Sequence, residues 1–360
     1  MNNPLTNFPI PDENLLETPE VLKPLVQSHR FLAELKGVVK TMPNEGLLVS
    51  IIAMQEAKDS SAIENIITTH DELFLSEVLK RTKTNSSTRK VRNYRTALRE
   101  SYPNIRQSGL IRFNDILSIQ SAIEPNKPGI RKLPGTVIGN ASTGEVIYTP
   151  PQHPDEIEQR LDNLIEYMND DQVSELDPLV KMALIHHQFE SIHPFYDGNG
   201  RAGRILNIMY LIQKGLLDLP ILDLSRYILR TKAEYYRLLQ AVHDENDWVA
   251  WVLYMLKGVE TTARETVEFI QQIKSLVLQT KQRMRTELPK IYSQELLNIL
   301  FYHPYTRIEF VVKSLRVTRI TATRYLNLLV SHGFVTKHQA GRTYYFINEP
   351  LVRLIAQHRE

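Results

Sequence analysis

The sequence has 360 residues, with 43 Lys and Arg against 41 Asp and Glu, 42% hydrophobic residues and no cysteine. The missing cysteines exclude a disulfide scaffold, a zinc ribbon and a Cys nucleophile, and a net charge of +2 argues against a wholly basic nucleic-acid protein. Met1 to Asp12 has neither a basic n-region nor an apolar core, and apolar stretches such as Gly46 to Met54 fall far short of the ~20 residues that cross a bilayer. The expectation is a soluble, cytoplasmic protein without membrane contact, long enough for roughly two or three domains.

In chain order, Pro4, Pro9, Pro11 and Pro19 break helix formation over the first 20 residues and predict an extended arm. From Val21 to about Tyr102 apolar residues recur three and four apart, as in Leu47, Ile51 and Met54, so residues 1–102 read as an N-terminal helical region. Lys83 to Lys90 reads as a loop within it, with helices resuming at Val91 to Glu100 and Phe113 to Ile123. The period then changes. Thr136-Val137-Ile138 and Val146-Ile147-Tyr148 flank the turn-forming run Gly139 to Gly144, a β-hairpin inside residues 130–151. A lone hairpin is marginal, so this one is expected to lie on the helices as a lid or recognition element.

Helical periodicity returns at Pro154 to Met168, Pro178 to Ser191, Gly203 to Gln213, Lys232 to Asp244 and Asp247 to Glu287. After Pro289, Gln294 to Phe301, Arg307 to Ser314 and Thr318 to Ser331 read as three short helices. Two strands follow, Phe334 to Thr336 and Thr343 to Phe346, around Ala340-Gly341. That order predicts a winged helix-turn-helix over residues 290–360. Residues 291–360 hold nine Lys and Arg against four Asp and Glu, so near-neutrality averages a mildly acidic body and a basic C-terminal module.

The run His193-Pro194-Phe195-Tyr196-Asp197-Gly198-Asn199-Gly200-Arg201-Ala202-Gly203-Arg204 lies between two apolar helical patterns and reads as helix, tight loop, helix. Gly198 and Gly200 permit positive φ and let successive N–H groups converge on an anion, which also meets the positive end of the following helix. Arg201 and Arg204 lie on one helical side and can grip phosphate oxygens. Asp197 can hold Mg²⁺, and His193, with a pKa near neutrality, can take a proton from a hydroxyl. Together they predict phosphoryl or nucleotidyl transfer. A Walker A loop needs Lys-Ser/Thr after its last glycine, and here Arg204-Ile205 follows.

The run resembles the core motif of the Fic proteins, His-Pro-Phe-x-Asp/Glu-Gly-Asn-Gly-Arg-x-x-Arg, at every fixed position. Glu145 to Pro151 is similar to the end of that family's flap hairpin, and Lys232-Ala233-Glu234-Tyr235-Tyr236 to its nucleotide-side helix. The resemblance implies a mainly α fold: a Fic-type helical core over residues 103–287 with a β-hairpin flap, plus the C-terminal winged helix. It further implies transfer of AMP from ATP to a Tyr, Thr or Ser hydroxyl of a target protein. His193 would be the base and Asp197 the Mg²⁺ ligand. Gly198, Asn199 and Gly200 would form the anion hole, with Ala202 and Gly203 in the same nucleotide-binding run. Arg201 and Arg204 would bind the polyphosphate, and Tyr236 would lie at the adenine.

The flap would pair with an extended target segment. Self-modification, a homodimer and the reverse deAMPylase reaction also come with the resemblance. Ser60-Ser61-Ala62-Ile63-Glu64-Asn65, in a helix around residues 56–69, matches the family's inhibitory motif. Glu64, one turn after Ser60, would pair with Arg204 and take the place of the γ-phosphate.

Two other readings compete. His186, His187, Glu190 and His193 suggest a metallohydrolase, but their spacing is not His-Glu-x-x-His, and His186 and His187 suit a core role better. Alternatively, Arg316, Arg319, Arg324 and a wing-tip Arg342 make a nucleotide-sensing DNA-binding regulator.

Overall fold

The structure, a computed structural model, describes residues 11–42, 44–79, 85–139, 146–340 and 343–358. The extended arm at Pro4 and Pro9, the loop at Lys83, the flap turn Asn140 to Glu145, and Gly341 with Arg342 lie outside the described residues. The described part of the expected arm is not extended throughout, since Glu13–Leu15 form one turn of 3-10 helix and Pro19 opens α1. Five α-helices follow: α1 Pro19–Val39, α2 Glu45–Ile63, α3 His70–Val78, α4 Ser86–Ser108 and α5 Phe113–Ile123. Strands β1 Ile138–Gly139 and β2 Val146–Tyr148 precede α6 Pro154–Asn169, α7 Pro178–Ile192, α8 Asn199–Gln213, α9 Leu224–Arg230, α10 Lys232–Glu245 and α11 Trp248–Glu287. The chain ends with α12 Gln294–Tyr302, β3 Tyr305–Thr306, α13 Ile308–Leu315, α14 Arg319–Ser331, β4 Thr336–Ala340, β5 Thr343–Ile347 and α15 Glu349–Gln357. No helix among the described residues is long and apolar enough to cross a membrane.

Most expected helices are present within a few residues. Helix α4 differs, beginning at Ser86 inside the stretch read as a loop, where the Asn85 side chain accepts the Thr88 N–H at 2.6 Å and caps the first turn. Helix α8 starts at Asn199, four residues earlier than periodicity indicated, so Gly200 and Gly203 are helical. Of the motif glycines only Gly198 has positive φ, +82°. The short α9, β3 and α15 were not read from the sequence.

The chain divides into two compact units that do not follow its order. One takes the described residues up to 36 together with 52–66 and 90–264; the other takes 37–51, 67–89 and 265 onwards. The expected N-terminal region 1–102 is therefore shared between them.

In the first unit the centre is the α7–α8 pair. Every residue of α7 from Leu179 to Ile192 is buried except Glu190, and every residue of α8 from Asn199 to Ile212 except Gly200. A helix apolar all round must be enclosed, and α5 and α6 pack beside this pair. Trp251 of α11, fully buried, donates its indole N–H to the Ala183 carbonyl at 2.8 Å. In the second unit β3, β5 and β4 form an antiparallel sheet in that spatial order, beside α12, α13 and α14. Helix α3 belongs here: Phe74 stacks on Tyr305 at 5.1 Å, and the Tyr305 hydroxyl donates to Asp71 at 2.7 Å.

Candidate active site

The site is built where α7 ends and α8 begins. His193 closes α7 in the left-handed region (φ 47°, ψ 58°), its N–H still donating to the Phe189 carbonyl at 3.1 Å. Holding a bulky residue there costs free energy, and this structure has several devices to fix it. Arg131, fully buried, donates from Nε to the His193 carbonyl at 2.8 Å and from one terminal nitrogen, Nη2, to the carbonyls of Pro151 and Ile192. Ile130 forms an antiparallel bridge with Phe195, and the Tyr196 hydroxyl accepts the N–H groups of Lys132 and Leu133 at 2.8 and 3.1 Å. Asn199 clamps the loop from inside, its amide accepting from the Phe195 N–H and donating to the Phe195 carbonyl, both at 2.8 Å.

This clamp gives Asn199 a buried structural contact, and Ala202 and Gly203 likewise face the interior. Gly203 faces α7. A Cβ there would stand 2.5 Å from Glu190 Oε1 and 3.0 Å from the Phe189 ring. Gly200 leaves room for the Arg204 guanidinium and Glu64 Oε1, each 2.9 Å from an imagined Cβ.

The two arginines converge with the end of α2, which stops at Ile63 instead of running on to 69: Asn65 has positive φ, 60°, and Glu64 lies in the turn that follows the helix. Arg204 Nε donates to Ser60 Oγ at 2.7 Å, and its terminal nitrogen donates to the Ser60 carbonyl at 2.9 Å and Glu64 Oε1 at 2.8 Å. Arg201 Nε donates to Glu64 Oε2 at 2.6 Å. Glu64 therefore spans both guanidiniums, where the sequence reading had it on Arg204 alone. Both arginines are buried, at 0% and 3% side-chain exposure, while Glu64 keeps 24%. Arg201 also donates to Glu124 at 2.9 Å and to Asp197 at 3.1 Å. Lys90 reaches Glu124 at 2.7 Å and Asp197 at 3.3 Å. Lys90, Glu124 and Arg131 were missed in the sequence because they lie 107, 77 and 62 residues from their partners, with no periodic signal.

Burial pushes the His193 imidazole down to about 4, with the Arg131 charge adding to it, below the near-neutral value expected. His193 is thus a free base at neutral pH. Burial opposes the charge of Asp197, but Arg201 and Lys90 hold its carboxyl below the usual range. A single ionised, half-exposed carboxylate is what Mg²⁺ takes from a protein when phosphates and water fill its other positions, so Asp197 fits that ion. Glu190 is pushed up to about 7 by burial, with Glu64 adding to the shift against Arg204. His186 bonds the Tyr235 hydroxyl at 2.9 Å, and His187 bonds the Leu239 carbonyl at 3.2 Å; both are buried among aromatic rings. Tyr236, 48% exposed, packs edge-on against Tyr235.

The hairpin pairs Ile138 with Tyr148 and Gly139 with Val146. Its base is tied by Gln152, which donates to the Thr136 and Pro150 carbonyls and accepts the Gly135 N–H at 2.7 Å. Val137, Val146 and Ile147 are exposed.

Three family models match in series: Fic/DOC family N-terminal over residues 22–103, Fic/DOC family over residues 110–211, and Protein adenylyltransferase SoFic-like, C-terminal domain, over residues 276–351. The chain belongs to the Fic/DOC family. Protein adenylyltransferase fic-1 of Caenorhabditis elegans is 26% identical over 159 residues, which is 43% of this chain and 29% of that protein. Probable protein adenylyltransferase aq_aa38 of Aquifex aeolicus is 45% identical over 53 residues, 15% of this chain and 17% of that protein. The matched part thus spans less than a third of these Fic relatives.

Among solved structures, a Fic family protein from Desulfovibrio desulfuricans G20 has a TM-score of 0.58 at 18% identity, covering 92% of this chain and 96% of its own. Fic-1 from C. elegans gives 0.54 at 20%, covering 72% and 75%. At these identities the likeness establishes the Fic fold.

Proposed function

We propose that this chain is a protein adenylyltransferase that moves AMP from ATP to a Tyr, Thr or Ser hydroxyl and is held off by its own Glu64. The observation that carries the reading is one carboxylate spanning Arg201 and Arg204 at 2.6 and 2.8 Å, at the N-terminal turn of α8. Two buried guanidiniums beside a helix N-terminus form an anion site, and Glu64 is the anion in it. ATP would bring its outer phosphates to the same groups, so Glu64 and a productive triphosphate compete.

With Glu64 withdrawn, the polyphosphate lies on Arg201, Arg204 and the N–H groups of the first turn of α8. His193 Nε2 or Nδ1 takes the proton of the acceptor hydroxyl, whose oxygen forms a bond to the α-phosphorus. The bond from that phosphorus to the β-phosphate oxygen breaks and pyrophosphate leaves. Mg²⁺ on Asp197 would neutralise charge on the α- and β-phosphates. Tyr236 gives the base an exposed ring to lie against. The flap offers the open edge and apolar side chains against which an extended target segment can align its hydroxyl.

Intact-mass spectrometry of the Glu64→Gly chain with ATP and Mg²⁺, alone and with a cell lysate, tests this. The expected result is an added AMP, on the chain itself or on a captured protein, at a rate roughly tenfold or more above the parent. Adding His193→Ala should abolish it while ATP binding by calorimetry stays within about threefold. No mass gain in either setting would sink the transferase reading, and loss of AMP from a labelled substrate would turn it to deAMPylation.

A further inference from the structure

Beside the metal position, the protein supplies a cation of its own. Lys90, from α4, places its ammonium 3.3 Å from Asp197 Oδ2 and 2.7 Å from Glu124 Oε1. Arg201 donates to the same two carboxylates, at 3.1 Å to Asp197 Oδ1 and 2.9 Å to Glu124 Oε1. Lys90, Asp197, Arg201 and Glu124 therefore close a ring of alternating charge, two cations and two carboxylates, that balances without any metal. Both oxygens of Asp197 are engaged in it.

The two cations in the ring differ in mobility. Arg201 is fully buried and fixed by a third partner, Glu64, whereas Lys90 keeps 28% exposure at the open side of the site. A lysine carries a compact charge on a flexible stem, so its contact is the one that can yield. Its bond to Glu124 is the shorter, and Glu124 gives the ammonium a place to stay when Asp197 turns to another cation. Until then, a divalent ion approaching Asp197 meets a like charge a few ångströms away.

We propose that Lys90 competes with Mg²⁺ for Asp197 and so sets the metal concentration at which the site loads. The inference rests on the reading above that Asp197 is the metal ligand. Mn²⁺ titrated into the Glu64→Gly chain with saturating α,β-methylene ATP, followed by electron paramagnetic resonance of the free ion against a protein-free control, tests it. Lys90→Met should lower the Mn²⁺ dissociation constant roughly tenfold, and Lys90→Arg, which keeps the charge, should stay within about twofold of its parent. Lys90→Gln provides a second neutral variant, and thermal melts confirm that each is folded. Unchanged or weaker Mn²⁺ binding in folded Lys90→Met and Lys90→Gln would overturn the proposal. A parent that binds no Mn²⁺ beyond the control would instead overturn the assignment of Asp197, and this inference with it.

Discussion

Arg201 and Arg204 in the first unit and Arg319 and Arg324 in the second are the same chemical group near the start of a helix, yet their settings are opposite. Arg201 and Arg204 are buried and bound by Glu64, Glu124, Asp197 and Ser60. Arg319 is 68% exposed and holds the half-exposed Glu309 at 2.6 Å; Arg324 lies 5.7 Å from the ring of Tyr325. A short distance on the surface and a short distance in the interior are different energetic statements. Water screens the first pair, whereas a buried guanidinium without its acceptors has no substitute partner. Both sets must give up a carboxylate before a phosphate can bind, Glu64 in the first unit and Glu309 in the second, but Arg201 and Arg204 are also held in place by Glu124, Asp197 and Ser60.

The sharpest way to break the comparison is Arg204→Ala. It deprives Ser60 and half of Glu64 of their partner and should lower stability by about 2 to 3 kcal/mol in a denaturant titration. Nucleotide binding should fall as well. A loss below about 0.5 kcal/mol would mean that the buried grip is no stronger than a surface pair.

A smaller effect is expected from acid, and it follows from the same burial. Because His193 is pushed down to about 4, its base form persists well below its ordinary pKa of 6.5. The acid limb of kcat/KM for the Glu64→Gly chain should accordingly lie nearer pH 4 than 6.5, since removing Glu64 also removes a charge that favours the protonated ring. A limb at 6.5 would place His193 in a wetter setting than this one. Least of all should change with Arg319→Ala, which is expected to stay within about 0.5 kcal/mol of the parent and to be insensitive to high salt. A larger loss, or a marked fall in salt-dependent binding to duplex DNA, would give the surface arginines a role comparable to the buried ones.

Much of the site was legible because its residues are close in sequence. His193 to Arg204 form one continuous stretch with a readable order of residue types, whereas Ser60 and Glu64, four apart, stood out only through their likeness to the Fic inhibitory motif. What escaped notice were the groups joined only by folding and marked by no motif. Lys90 sits on a helix whose start was read as a loop, and Glu124 lies at the end of α5. Arg131 follows a Pro-Gly pair in an irregular segment, yet it reaches three carbonyls around His193. The boundary of α8 differs for a related reason: three glycines within six residues suggest a loop, whereas Gly200 and Gly203 are helical and are small because Arg204 and Glu64 at the one, and Glu190 and Phe189 at the other, stand where a Cβ would be.

By itself the sequence determined the helical character, the hairpin, the C-terminal helices and strands, and the helix-loop-helix set of the 193–204 run, because these depend on local periodicity and on residue types in fixed order. Only the tertiary structure decided that Glu64 spans two arginines, that the N-terminal segments divide between two compact units, and that Lys90 and Glu124 complete the charge balance around Asp197. Those outcomes depend on which distant groups share a water-poor space, where an unpaired charge is costly and a fixed partner counts for most.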